Sequence, residues 1–231
     1  MDTTIGQEPA QQKIETMQPR GQRLTTLAVV ATVAVILVTG FGLWLLLRSN
    51  TPGDESAEAG FARDMSMHHA QAIEMALIAQ ERTDDPEIRI LATDIILTQQ
   101  GQIGQMRGWL DAWGLPPNSA DAPMTWMGHP VDGRMPGMAS PEEVAQLREL
   151  PVPEIEELFL QLMVVHHQAG VDMAQAVLDR SDNSTVGFLA GRMVESQQKE
   201  IDVMNDMLER KEFDRVLEEP SMHEDNEHSH H

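Results

Sequence analysis

The stretch Phe61–Ala76 reads FARDMSMHHAQAIEMA, and it recurs in similar form as Phe159–Ala174, FLQLMVVHHQAGVDMA. The two stretches align without a gap at an offset of 98 residues (159 − 61). The register continues beyond them, so that the similarity covers about 50 residues, a length typical of a repeated supersecondary unit. Each copy carries a histidine pair and methionines at helical spacing. The chain is therefore predicted to contain one helical unit twice.

Apolar residues in each copy recur in steps of four and three, which is typical of the buried face of a bundle helix. In the first copy this face holds Phe61, Met65, His68, Ala72, Met75 and Ala79. In the second copy it holds Phe159, Met163, His166, Gly170, Met173 and Val177. In both copies the second histidine of the pair is expected at the edge of this face.

Helix start and stop signals divide the chain after residue 56 into four long helices. Asp85 followed by Pro86 is a favourable helix start, and Gly114 before two prolines is a favourable stop. Ser140-Pro-Glu-Glu predicts a short additional helix that begins with a capping box. Strand signals are lacking, and each helical hairpin needs the other to bury its apolar face. The fold class is therefore all-α, an antiparallel four-helix bundle made of two tandem helical hairpins.

A single apolar segment, Leu27–Leu47, has 21 residues and no charge. That length spans a bilayer as a helix, whereas the apolar region of a cleavable signal peptide is shorter. Lys13, Arg20 and Arg23 precede the segment, and acidic residues follow it soon after Arg48. The positive-inside rule therefore predicts an uncleaved single-pass anchor with a cytoplasmic N-terminus and an extracytoplasmic C-terminal domain.

These boundaries predict the following organisation: a disordered cytoplasmic tail (1–23), a transmembrane anchor (24–48), a linker (49–56), the duplicated bundle (57–219) with a Met-rich loop (115–139), and a disordered His-rich tail (220–231).

Composition excludes several classes of function. The net charge is −21, which argues against nucleic acid as a partner because phosphate binding needs a basic face. The chain has no cysteine, so thiolate metal sites and cysteine nucleophiles are absent. It has 16 methionines, which serve either as flexible core packing or as soft metal ligands.

The paired histidines are the strongest candidates for chemistry. In each copy a methionine lies three residues before the first histidine and four before the second, so its thioether lies beside both imidazoles on one side of the helix. Imidazole suits copper and zinc, and thioether selects Cu(I) and its analogue Ag(I). The predicted metal ligands are Met65, His68, His69, Met75, Met163, His166, His167 and Met173. A second candidate set lies in the long loop: Met124, Met127, His129, Met135 and Met138.

The histidine pairs leave one other interpretation open. The histidines are also compatible with a non-catalytic envelope interaction module, in which they are structural or sense pH near 6–7. In that case Gln99 and Gln197, which lie in the apolar stripes, are the expected hydrogen-bond partners. A di-metal oxidase needs Glu-x-x-His motifs, which the four helices lack. We therefore expect no enzyme activity.

The repeated F-x3-M-x2-HH-x5-MA block, followed by L-A-x6-QQ-x2-I-x2-M, resembles the bacterial family called domain of unknown function 305, over roughly residues 58–213. The resemblance implies a ferritin-like four-helix bundle, typically exported from a bacterial cell. It also implies copper binding or copper tolerance for some members, with Met and His ligands at the eight positions named above. The expected function is thus a membrane-anchored, extracytoplasmic protein that binds or buffers Cu(I), with Ag(I) as its analogue.

Overall fold

The computed structural model describes residues 20–48 and 51–211, and in these ranges every regular element is helical. Six α-helices follow one another: α1 (Arg20–Arg48), α2 (Ala57–Arg82), α3 (Pro86–Trp113), α4 (Pro141–Glu149), α5 (Glu154–Arg180) and α6 (Ser184–Arg210). A short 3₁₀ turn, Thr125–Met127, interrupts the long loop between α3 and α4. Residues 1–19, 49–50 and 212–231 lie outside the described residues, and with them most of the predicted cytoplasmic tail (1–23), the end of the predicted bundle (57–219) and all of the predicted His-rich tail (220–231).

Helix α1 forms a unit of its own by contacts, separate from the unit that begins at Pro52. Its segment Leu27–Leu45 has a mean hydropathy of 2.3, and no part of that window is buried. By length and composition it is suited either to cross a membrane or to act as a signal sequence.

The helix boundaries follow from local chemistry. The Asp85 carboxylate accepts from the backbone N–H groups of Glu87 (2.7 Å) and Ile88 (3.2 Å), which satisfies two donors that the first turn of α3 leaves free. Gly114 ends α3 in the left-handed conformation at φ 71°, which glycine adopts without steric cost. Ser140 and Glu143 form the predicted capping box at the start of α4.

Within the unit that begins at Pro52, α2 packs against α3, α5 packs against α6, and α2 and α5 pack against each other. The helices are antiparallel within each pair, as their short connections require. Both predicted buried faces are confirmed, since every member of each lies in the interior. This arrangement is the predicted bundle of two helical hairpins.

The buried apolar residues form two clusters at different levels of the bundle. The first, which we call the α4-side cluster, contains Met75 and Met163 together with Leu147 of α4. The second, which we call the loop-side cluster, contains Met65 and Met173 together with Met124 of the long loop. Between the two clusters, each of the four long helices turns polar side chains inward. We call this level the polar layer; its members are His68, His69, Gln99, Gln102, His166, His167, Gln197 and Glu200.

Candidate metal centre

Helices α2 and α5 bring the two first histidines of the pairs into direct contact. The rings of His68 and His166 lie with their centroids 3.7 Å apart and their planes tilted by 36°. Each residue is only 1% exposed. Their contact follows from the fold, because both histidines lie midway along the faces through which α2 and α5 pack.

The second histidine of each pair lies deeper than the sequence predicts. His69 and His167 are fully buried, whereas the sequence placed them at the edge of the buried face. The reason is that α3 and α6 cover them with polar side chains. His69 Nε2 lies 2.6 Å from Gln102 Oε1, and His167 Nε2 lies 2.8 Å from Glu200 Oε2.

The partners expected from the sequence, Gln99 and Gln197, do not fill this role. Gln99 Oε1 and Gln197 Nε2 are buried without a hydrogen-bond partner. The residues that bond the histidines lie three positions further along the same helices and occupy equivalent positions at the offset of 98. Sequence reasoning missed them because one is Gln and the other Glu, so that the alignment showed no identity there.

Five imidazole nitrogens of the polar layer are buried without a hydrogen-bond partner. They are His68 Nδ1 and Nε2, His69 Nδ1, His166 Nε2 and His167 Nδ1. Buried polar groups are almost always bonded, because an unsatisfied one costs about 1–3 kcal/mol. A layer with five such nitrogens is therefore poorly explained as ordinary core packing, and it offers lone pairs to a ligand.

Burial also favours the neutral form of His68, His69 and His166. It lowers the pKa of His68 to about 3, and the nearby His69 and His167 lower it further, while the Pro136 carbonyl opposes the decrease slightly. The pKa of His69 falls to about 3 through burial, although its bond to Gln102 opposes this. Burial and the surrounding histidines lower the pKa of His166 well below its ordinary value. Neutral imidazole is the form that binds metals.

The arrangement is not a preformed site of histidine and carboxylate ligands. Among the residues that the structure describes, no three His, Asp or Glu side chains are grouped so that they would hold one ion. Binding an ion here therefore needs thioether donors, side-chain rotation, or both.

The predicted methionine ligands are all fully buried above and below the polar layer. Met65 and Met173 share the loop-side cluster, and Met75 and Met163 share the α4-side cluster. Each cluster therefore contains one predicted methionine ligand from α2 and one from α5, and the four histidines form one layer between the clusters.

The long loop closes over the polar layer. A side chain on Gly137 would collide with Ala169 and come within 2.9 Å of the Val165 carbonyl, so the loop backbone packs directly on α5 beside His166. The side chain of Gln71 holds the loop to α2 through two hydrogen bonds with the backbone of Ala139, at 2.8 and 2.9 Å.

The other end of the loop is held by a buried carboxylate that the sequence analysis did not single out. Asp64 Oδ2 accepts from the Met124 backbone N–H (2.8 Å) and from Trp126 Nε1 (2.9 Å). Burial raises the pKa of Asp64, although these two bonds oppose the increase. Asp64 therefore positions the loop.

The five candidate ligands of the long loop lie in two different environments. Met124, Met127 and Met135 are buried in the loop-side cluster, and the half-buried Met138 packs against it. His129 is exposed. The structure thus joins the loop methionines to the methionines of the bundle and leaves His129 apart from them.

The family profile described as domain of unknown function (DUF305) matches residues 58–208, about two thirds of the chain. The chain belongs to the DUF305 family. A DUF305 protein of Streptomyces coelicolor, described as secreted, is 48% identical; the match covers 71% of this chain and 99% of that chain, with a TM-score of 0.68.

Two more distant relatives also match parts of this DUF305 chain. CopM in its Cu(I)-bound form is 24% identical, with coverage of 68% of this chain and 97% of that chain and a TM-score of 0.51, which shows a shared fold. The uncharacterized protein L153 of Acanthamoeba polyphaga mimivirus is 32% identical over 88 residues, or 38% of this chain. The match spans about half (53%) of that viral relative.

Proposed function

We propose that this DUF305 protein is a membrane-anchored, extracytoplasmic protein that binds or buffers Cu(I), with Ag(I) as an analogue, at the polar layer between α2 and α5. It works by exchange of Met and His ligands and carries out no catalysis. The observation that supports the proposal best is the set of five buried imidazole nitrogens without partners.

The donor types favour a soft monovalent ion. The layer offers neutral imidazoles, and the clusters above and below it offer thioether sulfur from Met65, Met75, Met163 and Met173. The described part of the chain places one carboxylate, Glu200, in hydrogen-bond contact with a histidine of the layer. Burying an ion among neutral donors costs less for one charge than for two. Thioether ligands add a preference for Cu(I).

A surface cavity lies beside the loop that packs on α5 next to this layer. A cavity of about 410 Å³ opens beside Met135, Pro136, Met138 and Val165, next to the loop segment that covers His68 and His166. The half-buried Met138 lines this cavity and offers a thioether there. The charge of −21 raises the concentration of cations near the surface.

The proposed cellular location is supported by the apolar segment of α1 and its flanking charges. The apolar segment of α1 is long enough to span a bilayer. The basic residues before it favour a cytoplasmic N-terminus, which places the bundle outside the cytoplasm. CopM, which shares the fold, has been crystallised with Cu(I), but the proposal for this chain rests on its own residues.

The pKa values of His68 and His69 disfavour a role for these two histidines as pH sensors near neutrality. Histidines that sense pH 6–7 must titrate in that range. The pKa of His68 and that of His69 are about 3, so both stay neutral throughout it.

Thermal unfolding tests the proposal. We would use the full-length chain in detergent micelles, with the tail histidines His223, His228, His230 and His231 changed to Ala to remove nonspecific binding. Ag(I) serves as a redox-inert probe. A ligand bound to the folded state alone raises stability by about 2.7 kcal/mol at 100 times its Kd. The matched variant also carries alanine at His68, His69, His166 and His167. A rise in Tm that this variant loses supports the proposal, and the absence of a rise in the parent contradicts it.

A further inference from the structure

The two fully buried histidines are bonded in the same way by residues at equivalent positions. His69 and Gln102 are 33 residues apart, and so are His167 and Glu200. In each case the ring atom is Nε2 and the partner atom is a side-chain oxygen, at 2.6 and 2.8 Å. The Glu200 carboxylate can only accept, so Nε2 of His167 donates to it. The Gln102 oxygen faces His69, and in this orientation of the amide Nε2 of His69 donates as well.

The proton on Nε2 decides the state of the other ring nitrogen. A neutral imidazole with its proton on Nε2 carries a lone pair on Nδ1. The Nδ1 atoms of His69 and His167 are both buried without a partner. The opposite tautomer would place a buried N–H on Nδ1 with nothing to accept it, and would turn the Nε2 lone pair towards an acceptor oxygen. Both changes are unfavourable.

We propose that Gln102 and Glu200 are positioning residues that fix His69 and His167 with Nδ1 free for the metal, and that the Glu200 carboxylate makes its half of the layer the stronger binder. This inference rests on the proposed function, and it assigns the donor atoms and the two residues that orient them. An outer residue bonded to a ligating histidine fixes its tautomer and raises its basicity.

The difference between the two halves follows from charge. His167 is fully buried, and the Glu200 side chain is 21% exposed, so the carboxylate stays in contact with solvent while it bonds the ring. Its negative charge offsets the charge of a bound cation, whereas the neutral amide of Gln102 contributes only its dipole. The half that contains α5 and α6 is thus expected to hold the cation more tightly than the half that contains α2 and α3.

The tautomer is measurable without metal. In the full-length, tail-substituted chain labelled with ¹⁵N, long-range ¹H–¹⁵N spectra show which ring nitrogen of each histidine is protonated. We expect a protonated Nε2 and an unprotonated Nδ1 for both His69 and His167, and in the Glu200→Leu variant the signals of His167 alone lose this pattern. A protonated Nδ1 in the parent would overturn the inference whether or not the protein binds copper.

Measurements of Cu(I) affinity distinguish the effect of histidine positioning from the effect of the Glu200 charge. Cu(I) affinity is measured anaerobically by competition with a colorimetric chelator. Glu200→Leu removes the acceptor, and we expect it to weaken binding about 10–100-fold, the usual effect of losing such a partner. Glu200→Gln keeps an acceptor oxygen, so it should restore the tautomer and part of the affinity. Gln102→Glu should strengthen binding.

A matched control on the same helix is Glu195→Gln. Glu195 is exposed and paired with Lys199, so this variant removes one charge from α6 without touching a histidine. We expect unchanged affinity. If the parent binds Cu(I) and Glu200→Leu binds equally well, the positioning role is wrong. If the parent binds no Cu(I), the proposed function fails, and the tautomer measurement still decides the hydrogen-bond assignment.

Discussion

Replacing His68 with leucine should make the metal-free protein more stable. Both ring nitrogens of His68 are buried without a partner of good geometry. Leucine fills a similar volume and carries no polar atom, so the change removes two unsatisfied groups from the interior. Replacing a buried polar group that has lost its partners by an apolar group is neutral or stabilising.

The magnitude follows from the same contacts. Each unsatisfied nitrogen costs about 1–3 kcal/mol. Against this, His68→Leu loses the ring contact with His166, worth about 0.5–1.5 kcal/mol, and the new shape costs up to about 1.5 kcal/mol of packing. With the middle of the first two ranges, the free energy of unfolding should rise by about 1.5–3 kcal/mol.

The assay is urea unfolding of metal-free fragment 52–211, followed by circular dichroism, since the chain from Pro52 forms one compact unit. The control is His129→Leu, because His129 is exposed in the loop and its loss should change stability by less than about 0.5 kcal/mol. A loss of more than about 1 kcal/mol in His68→Leu would refute the reasoning, because it would show that these nitrogens make stabilising bonds in the metal-free protein.

Three further predictions concern the metal-free fragment. The pKa values of His68 and His69 are about 3 and that of His166 lies well below 6.5, so these three residues take up protons in the unfolded chain that they do not take up in the folded chain. The free energy of unfolding should therefore fall as the pH falls from 6.5 towards 3, by up to about 1.4 kcal/mol per pH unit for each of the three histidines. A urea midpoint that stays constant between pH 6.5 and 5 would contradict this. Gly104→Ala, in open space, should stabilise by up to about 1 kcal/mol. Gly170→Ala should stabilise less or destabilise, because its Cβ would collide with Gln197 Oε1 and force the end of that buried side chain to move; equal effects would contradict the packing argument. Asp64→Ala should cost about 1.5–3 kcal/mol and loosen the loop, seen as faster hydrogen exchange at Met124, whereas Asp64→Asn should cost less because it keeps an acceptor oxygen; identical losses would count against this bond.

Local signals in the sequence were sufficient to predict the helices. Asp85-Pro86, Gly114 and the Ser140 capping box act within one helical turn, so their effect is readable without knowledge of the fold. The step pattern of four and three also identified the buried faces of α2 and α5, because burial on a helix has a fixed period.

The polar layer could be predicted only in part. The histidine pairs were evident from the sequence, but Gln102 and Glu200 belong to other helices and reach them across the bundle. Which residue faces which depends on the rotation of each helix, and the sequence does not give that angle. The combination of Met65 with Met173 has the same cause, since it depends on the antiparallel packing of α2 and α5.

The central claim is that the polar layer and the methionines beside it hold Cu(I). X-ray absorption at the copper edge tests this most directly, on the full-length, tail-substituted chain loaded with one equivalent of Cu(I). The account predicts a first shell that contains both imidazole nitrogen and thioether sulfur. It also predicts that this shell is lost when His68, His69, His166 and His167 are all changed to Ala. A shell without sulfur, or the same spectrum in the variant, would contradict the account.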